Sequence, residues 1–130
     1  MAAELVVVDA SALVEALIGS GLGLAVRERL RGRDLHAPAH LDAEVLSALG
    51  RLHRAGELGA ESAALLVSEL AHAPIARHDL AGLLGGAWEA RDELRLVDAL
   101  YLELVRSLGA TLVSTDARLA RARPEVDLIR

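Results

Sequence analysis

Two apolar runs near opposite ends of the chain constrain its fold more than any other feature. The first is Leu5-Val6-Val7-Val8, and Asp9 follows it directly. The second covers residues 111–113, and Ser-Thr-Asp follows it at 114–116. Short runs rich in β-branched residues, with no polar interruption, are typical of strands buried on both faces of a parallel sheet. Shorter runs with the same character lie at 35–37, 74–76 and 127–129.

The segments between these runs have helical periodicity. Helices are predicted over 11–18, 24–30, 41–52, 61–72, 80–94, 97–108 and 117–121. Strands that alternate with helices predict an α/β domain with a parallel sheet. At 130 residues, with no internal repeat or linker, the chain is expected to form one domain over 1–130.

The composition excludes several classes of function. The chain has no cysteine, and all 14 of its basic residues are arginine. It therefore has neither a thiolate for a metal site nor an amine for Schiff-base or P-loop chemistry. With a net charge of −5, phosphate chemistry would need a metal ion or a local patch of arginines. No leader and no membrane-spanning run is recognisable, so the expected location is the cytoplasm.

Four acidic residues are expected near one edge of the sheet. Asp9 and Asp116 follow the two strongest strands, Asp98 opens the helix before the second strand, and Glu44 lies on the helix that begins near residue 41. Ligand sites in open α/β sheets gather beyond the carboxyl ends of the strands. Capping and the helix dipole also explain the three aspartates individually. Asp42 flanks the apolar stripe of its helix about as closely as Glu44 does, so periodicity does not choose between them.

Crowded carboxylates repel one another unless a cation balances them. The chain has no lysine, and little arginine is expected close to these acids, so a divalent cation is the natural counter-ion. Mg²⁺ and Mn²⁺ prefer oxygen ligands and retain bound waters. Such an ion can activate water and stabilise an in-line displacement at phosphorus. The sequence therefore predicts metal-assisted phosphate chemistry at this edge of the sheet.

Four sequence motifs resemble those of PIN domains. They are Val-Val-Asp-Ala-Ser-Ala-Leu at 7–13, Ala-Glu-Val-Leu-Ser-Ala-Leu at 43–49, Leu-Val-Asp-Ala-Leu-Tyr-Leu at 96–102 and Leu-Val-Ser-Thr-Asp-Ala-Arg-Leu at 112–119. Their order, their spacing and the chain length are similar to those of VapC-type toxins from bacterial toxin–antitoxin pairs. The resemblance extends over nearly the whole chain.

The resemblance implies a metal-dependent endoribonuclease. It implies that Asp9, Glu44, Asp98 and Asp116 hold Mg²⁺ or Mn²⁺, and that the hydroxyls of Ser11 and Ser114 orient waters around the ion. Position 114 departs from the family pattern, in which threonine is usual there. The implied sheet has five parallel strands in the order 3-2-1-4-5 with helices on both faces, which would bring Asp9 and Asp116 together.

The resemblance also implies partners, namely an RNA substrate, a VapB-type antitoxin and a second copy of the chain in a homodimer. The alternative is a non-catalytic PIN domain that binds RNA or protein. Candidate interfaces are the uncharged run 16–26 and the apolar helix 60–70, although both could equally be buried within the domain.

Two further features concern the basic and aromatic residues. Arg27 and Arg31 belong to the densest basic cluster, which is either a solvated helix face or a contact for the RNA backbone. Trp88 and Tyr101 are the only aromatic residues apart from histidines, and both are expected to pack in the core.

Overall fold

Five strands and seven α-helices alternate along residues 2–130, which the computed structural model describes. The strands are β1 (Leu5–Val8), β2 (Asp34–Pro38), β3 (Ile75–His78), β4 (Thr111–Ser114) and β5 (Asp127–Leu128). The helices are α1 (Ala10–Ile18), α2 (Gly21–Leu30), α3 (Leu41–Arg54), α4 (Ala60–His72), α5 (Leu84–Glu89), α6 (Leu96–Leu108) and α7 (Ala117–Ala122). Within this part of the chain no single helix could cross a membrane by length and apolarity, and only the pair α1 and α2, bent by 113° at its junction, passes that test together.

The strands form one parallel sheet in the order β3-β2-β1-β4-β5, which confirms the predicted order. β1 lies at its centre, and Val7 is opposite His36 on one side and Leu112 on the other. The chain builds outward from β1 in one direction first and then in the other. Because parallel crossovers are right-handed, this reversal puts helices on both faces of the sheet. It also opens a crevice beyond the carboxyl ends of β1 and β4.

The central strands are buried because both of their faces are covered. Residues 6–8 of β1 and Val113 of β4 have no exposed surface. Helix α1 buries Leu13 and Leu17, and α6 buries Leu100 and Leu104. The predicted strands are therefore confirmed. A strand that is covered on both faces has every side chain in the interior, which is why its sequence is apolar throughout.

Helices α1 and α2 approach each other closely at a glycine. A Cβ atom on Gly23 would lie 1.9 Å from the backbone oxygen of Glu15, so no larger residue fits there without moving a helix. The Ser20 hydroxyl accepts a hydrogen bond from the Gly23 amide at 2.9 Å and caps α2. This cap starts α2 at Gly21, three residues before the predicted start, because the prediction followed only the apolar spacing.

The single helix predicted over 80–94 is wrong. Residues 81–83 form a short 3₁₀ turn, α5 covers only Leu84–Glu89, and turns connect it to α6. Gly82, Gly85 and Gly86 lower the helical stability of this segment by roughly 1 kcal/mol each relative to alanine. Trp88 was predicted to pack in the core, but 55% of its surface is exposed. Tyr101 is buried as predicted.

Candidate active site

Asp9 lies at the carboxyl end of β1 and is almost completely buried. Its Oδ1 accepts hydrogen bonds from the Ser11 hydroxyl at 2.7 Å and from the Ala12 amide at 2.9 Å, and its Oδ2 accepts one from the Ser114 hydroxyl at 2.5 Å. Burial raises the pKa of this carboxyl, while the three hydrogen bonds oppose the shift. Asp9 therefore caps α1 and also presents a carboxylate at the sheet edge.

Ser114 connects the ends of β1 and β4. Its hydroxyl donates to Asp9, lies 3.3 Å from the Ser11 hydroxyl and accepts a hydrogen bond from the Asp116 amide at 3.0 Å. The Ser11 hydroxyl in turn accepts from the Thr115 amide at 3.2 Å. The two hydroxyls predicted to serve the site thus bind the protein's own backbone and carboxylate, which fixes the two strand ends relative to each other.

Two guanidinium groups form ion pairs with Asp98 and Asp116. The Arg95 guanidinium contacts both carboxylate oxygens of Asp98, at 3.0 and 3.2 Å. The Arg118 Nη2 atom lies between the aspartates, 3.1 Å from Asp98 Oδ2 and 2.9 Å from Asp116 Oδ2. Asp116 also caps α7, because its Oδ1 accepts from the Arg118 and Leu119 amides. The expectation of little arginine near the acids is therefore wrong.

Glu44 faces the same region from α3. Its Oε1 accepts a hydrogen bond of 2.6 Å from the Tyr101 hydroxyl of α6. Burial is the main cause that raises the pKa of Tyr101, and the Glu44 carboxylate raises it further, so the phenol stays protonated and donates. The His40 Nε2 atom lies 3.5 Å from the same oxygen and 3.0 Å from the Val97 carbonyl. Asp42, by contrast, pairs with Arg77 on β3 at 3.0 Å.

A chain of contacts connects three of the four predicted acids, and helix α6 relates Glu44 to them. Ser114 connects Asp9 to Asp116, Arg118 connects Asp116 to Asp98, and Asp98 shares helix α6 with Tyr101, which binds Glu44. Sequence reasoning missed the two arginines and the role of Tyr101. Arg95 precedes Asp98 by three residues and Arg118 follows Asp116 by two, and these spacings are the signal that could have identified them.

Arg27 and Arg31, the predicted RNA contacts, lie away from this cluster. Arg27 donates from Nε to the Ala16 carbonyl at 2.6 Å, and Arg31 pairs with Glu28 at 3.2 Å. Their neighbour Arg29 contacts Glu4, which precedes β1. The C-terminal part of α2 therefore lies at the amino edge of the sheet, opposite the acids.

Comparison with known proteins identifies the family of the chain. The family model described as PIN domain matches residues 6–124. The chain belongs to the PIN-domain family. It is 54% identical over 127 residues to Ribonuclease VapC3 of Mycobacterium tuberculosis, with 97% of this chain and 93% of that protein covered. It is 32% identical to Ribonuclease VapC12 of the same species, with 96% and 99% covered.

Solved structures share the PIN-domain fold at low sequence identity. One is the Mycobacterium tuberculosis VapC20 crystal structure, described as a sarcin-ricin loop cleaving toxin, with a TM-score of 0.72, 19% identity and coverage of 96% of this chain and 99% of that one. Another is a toxin-antitoxin complex from Klebsiella pneumoniae, with a TM-score of 0.66, 15% identity and coverage of 93% and 94%. These likenesses establish the fold of this PIN domain.

Ribonucleases with a PIN domain generally use a divalent metal ion. The four carboxylates here are the ligand type that Mg²⁺ and Mn²⁺ prefer, so the donor chemistry fits such an ion. In the arrangement described for residues 2–130, no three Asp, Glu or His side chains are placed to bind one ion. Arg118 already contacts the oxygens of Asp98 and Asp116, so binding of an ion there requires its guanidinium to move.

Proposed function

We propose that this PIN domain is an endoribonuclease that depends on Mg²⁺ or Mn²⁺ and acts as the toxin of a toxin–antitoxin pair. The observation that carries the proposal is the chain of contacts that links Asp9, Asp116 and Asp98 near the switch point of the sheet. Glu44 faces the same region through its hydrogen bond with Tyr101, which lies on the same helix as Asp98. The high identity to proteins named VapC ribonucleases supports it. RNA is the proposed substrate, and the cytoplasm is the proposed place of action.

Each side chain has a proposed role. Asp9, Asp98 and Asp116 would bind the metal ion, directly or through water, and a bound ion would supply an activated water and offset negative charge on the phosphate. Glu44 completes the site or orients the attacking water, with its carboxylate fixed by the Tyr101 hydroxyl. The hydroxyls of Ser11 and Ser114 hold the carboxylate of Asp9 and the strand ends in place, and we propose that they also orient waters.

We also propose a VapB-type antitoxin and a homodimer as partners. Exposed apolar side chains support this, because large apolar patches on a protein surface mark interaction sites. Of helix α4, Leu65 is 67% exposed, whereas only Leu70 is buried. In the run 16–26, Leu17 and Val26 face the interior, but Ile18 and Leu24 are 42% and 59% exposed. Both candidate interfaces therefore present exposed apolar side chains to a partner.

The experiment that tests the proposal incubates the purified chain with total RNA, with and without Mg²⁺ or Mn²⁺. Asp98→Asn should abolish cleavage and leave the fold intact, because a neutral amide binds a hard cation poorly. Glu44→Gln should lower the rate by roughly 100-fold, the usual range for a residue that orients or deprotonates water. Asp42→Asn is the matched control, because its carboxylate pairs with Arg77 and lies outside the contact chain.

Cleavage that persists in Asp98→Asn, or that Asp42→Asn impairs as strongly as Glu44→Gln, contradicts the assignment of these residues. Absence of cleavage by the folded wild type with either metal ion, once bound antitoxin has been excluded, favours the non-catalytic PIN module. The contacts of Arg95 and Arg118 with Asp98 are the observation on which that second candidate rests, since they neutralise the acids without a metal ion.

A further inference from the structure

All four carboxylate oxygens of Asp98 and Asp116 already accept hydrogen bonds. In Asp98, Oδ1 accepts from Arg95, and Oδ2 accepts from both Arg95 and Arg118. In Asp116, Oδ1 accepts from the amides of residues 118 and 119, and Oδ2 accepts from Arg118. The Arg118 guanidinium is therefore a cation shared between two carboxylates. Among residues 2–130, no other side chain forms ion pairs with both Asp98 and Asp116.

A divalent ion that binds these carboxylates competes with Arg118 for the same oxygens. Arginine has no neutral form in proteins, so a guanidinium gives way to a metal ion by moving and not by deprotonation. The Arg118 side chain has room to move, since about half of it is exposed. The ion and the guanidinium thus exclude each other from the oxygens of Asp98 and Asp116.

A displaced guanidinium would find a second partner in the substrate. Its planar fork matches the geometry of a phosphate group and binds it through two parallel hydrogen bonds. Arg118 is the second residue of α7, and Asp116 is the residue that caps this helix. Its backbone therefore stays next to the site even when its guanidinium no longer contacts the carboxylates.

We propose that Arg118 alternates between the Asp98 and Asp116 carboxylates and an RNA phosphate, and that binding of the metal ion drives the exchange. The proposal rests on the proposed function, since it takes the metal ion and the RNA from there. Without RNA, Arg118 then competes with the metal ion for the carboxylates. With the metal ion bound, Arg118 strengthens RNA binding. Because binding free energies are coupled reciprocally, RNA must also favour metal binding through the same residue.

Arg118→Gln tests the first half of the proposal without any RNA. Isothermal titration with Mn²⁺ should give a roughly tenfold tighter affinity in the variant than in the wild type, because one repelling charge is removed from beside the ion. Arg121→Gln is the matched control, since this exposed arginine lies on the same helix and makes no ion pair in the described part of the chain. Its Mn²⁺ affinity should equal that of the wild type. Arg118→Met, which keeps the aliphatic stem, should reproduce the Arg118→Gln result.

Fluorescence anisotropy tests the second half, with a labelled phosphorothioate RNA of mixed sequence that resists hydrolysis. Mn²⁺ should strengthen RNA binding several-fold less in Arg118→Gln than in the wild type, because the variant has no guanidinium to release. Arg121→Gln should lower the affinity equally with and without Mn²⁺, or leave it unchanged. A gain from Mn²⁺ that is the same in Arg118→Gln and wild type would overturn the exchange.

The two proposals fail in different ways. If the wild type binds Mn²⁺ and cuts RNA, but Arg118→Gln and Arg118→Met bind Mn²⁺ no more tightly than the wild type, the role of Arg118 is wrong and the function stands. If the folded wild type neither binds Mn²⁺ nor cuts RNA, the proposed function is wrong, and the exchange at Arg118 is wrong with it.

Discussion

Replacement of Tyr101 by phenylalanine removes the one hydroxyl that holds the Glu44 carboxylate. The ring and its packing against His40, with centroids 4.7 Å apart, are retained. Hydrogen bonds to charged groups contribute about 1.5–3 kcal/mol. The Glu44 side chain is 31% exposed, so water replaces part of the lost bond. We therefore expect a loss of about 1 kcal/mol in the free energy of unfolding, and a melting temperature lower by about 3–5 °C.

A double-mutant cycle with Glu44→Ala isolates this hydrogen bond from other effects. Urea unfolding followed by circular dichroism gives the free energy for the wild type, both single variants and the double variant. Tyr101→Phe should cost close to nothing in the Glu44→Ala background, because the buried hydroxyl has then already lost its acceptor. RNA cleavage by Tyr101→Phe should fall about tenfold, as a group that orients water loses its support. An equal stability cost in both backgrounds would refute this reasoning.

Three further outcomes are expected. Asp9→Asn should lose cleavage yet unfold at a higher temperature than the wild type at pH 7. Burial raises the pKa of Asp9, so the ionised carboxylate of the wild type opposes folding. The difference in melting temperature should therefore shrink as the pH falls and the native carboxyl takes up its proton. A melting temperature of Asp9→Asn below that of the wild type at pH 7 would contradict this. Gly23→Ala should cost about 1–3 kcal/mol, since the added carbon meets a backbone oxygen, whereas Gly21→Ala has open space and should be neutral or stabilising; equal melting temperatures for the two variants would count against the close helix approach. Arg29 and Arg33 lower the pKa of Glu4 to about 2, so Glu4→Gln should be less stable than the wild type at pH 7. This difference in stability should fade as the pH drops from about 4.5 towards 2. Melting curves across that range measure it, and a difference that persists at pH 2 would be inconsistent with the ion pairs.

The sequence predicts the strand ends well and the side-chain partners poorly, and both results have physical causes. Asp9 and Asp116 were placed at one edge because each ends a buried apolar run, which is a local property. Glu44 and Asp42 were indistinguishable by periodicity. Their partners, Tyr101 on α6 and Arg77 on β3, separate them only once the helices are packed.

The errors arise where a long side chain or a marginal helix is decided by tertiary contacts. Arg118 follows Asp116 by two positions, and nothing local indicates that its guanidinium reaches across to Asp98. The segment 80–94 has enough apolar residues for one helix, but three glycines make that helix marginal, and only residues 84–89 form an α-helix. Trp88 is predicted to pack in the core, but it lies on an exposed face of the short helix α5.

The hydrogen bond between Asp9 and Ser114 joins residues that are 105 positions apart in the chain. Translation proceeds at roughly 5–20 residues per second, so about 5–20 s separate the synthesis of Asp9 from that of Asp116. Pairing of β1 with β4 is a non-local step and cannot precede this. A growing chain therefore cannot bring its acids together until β4 and Asp116 have been synthesised. The order of the strands thus makes assembly of the acidic edge one of the last steps in the formation of the fold.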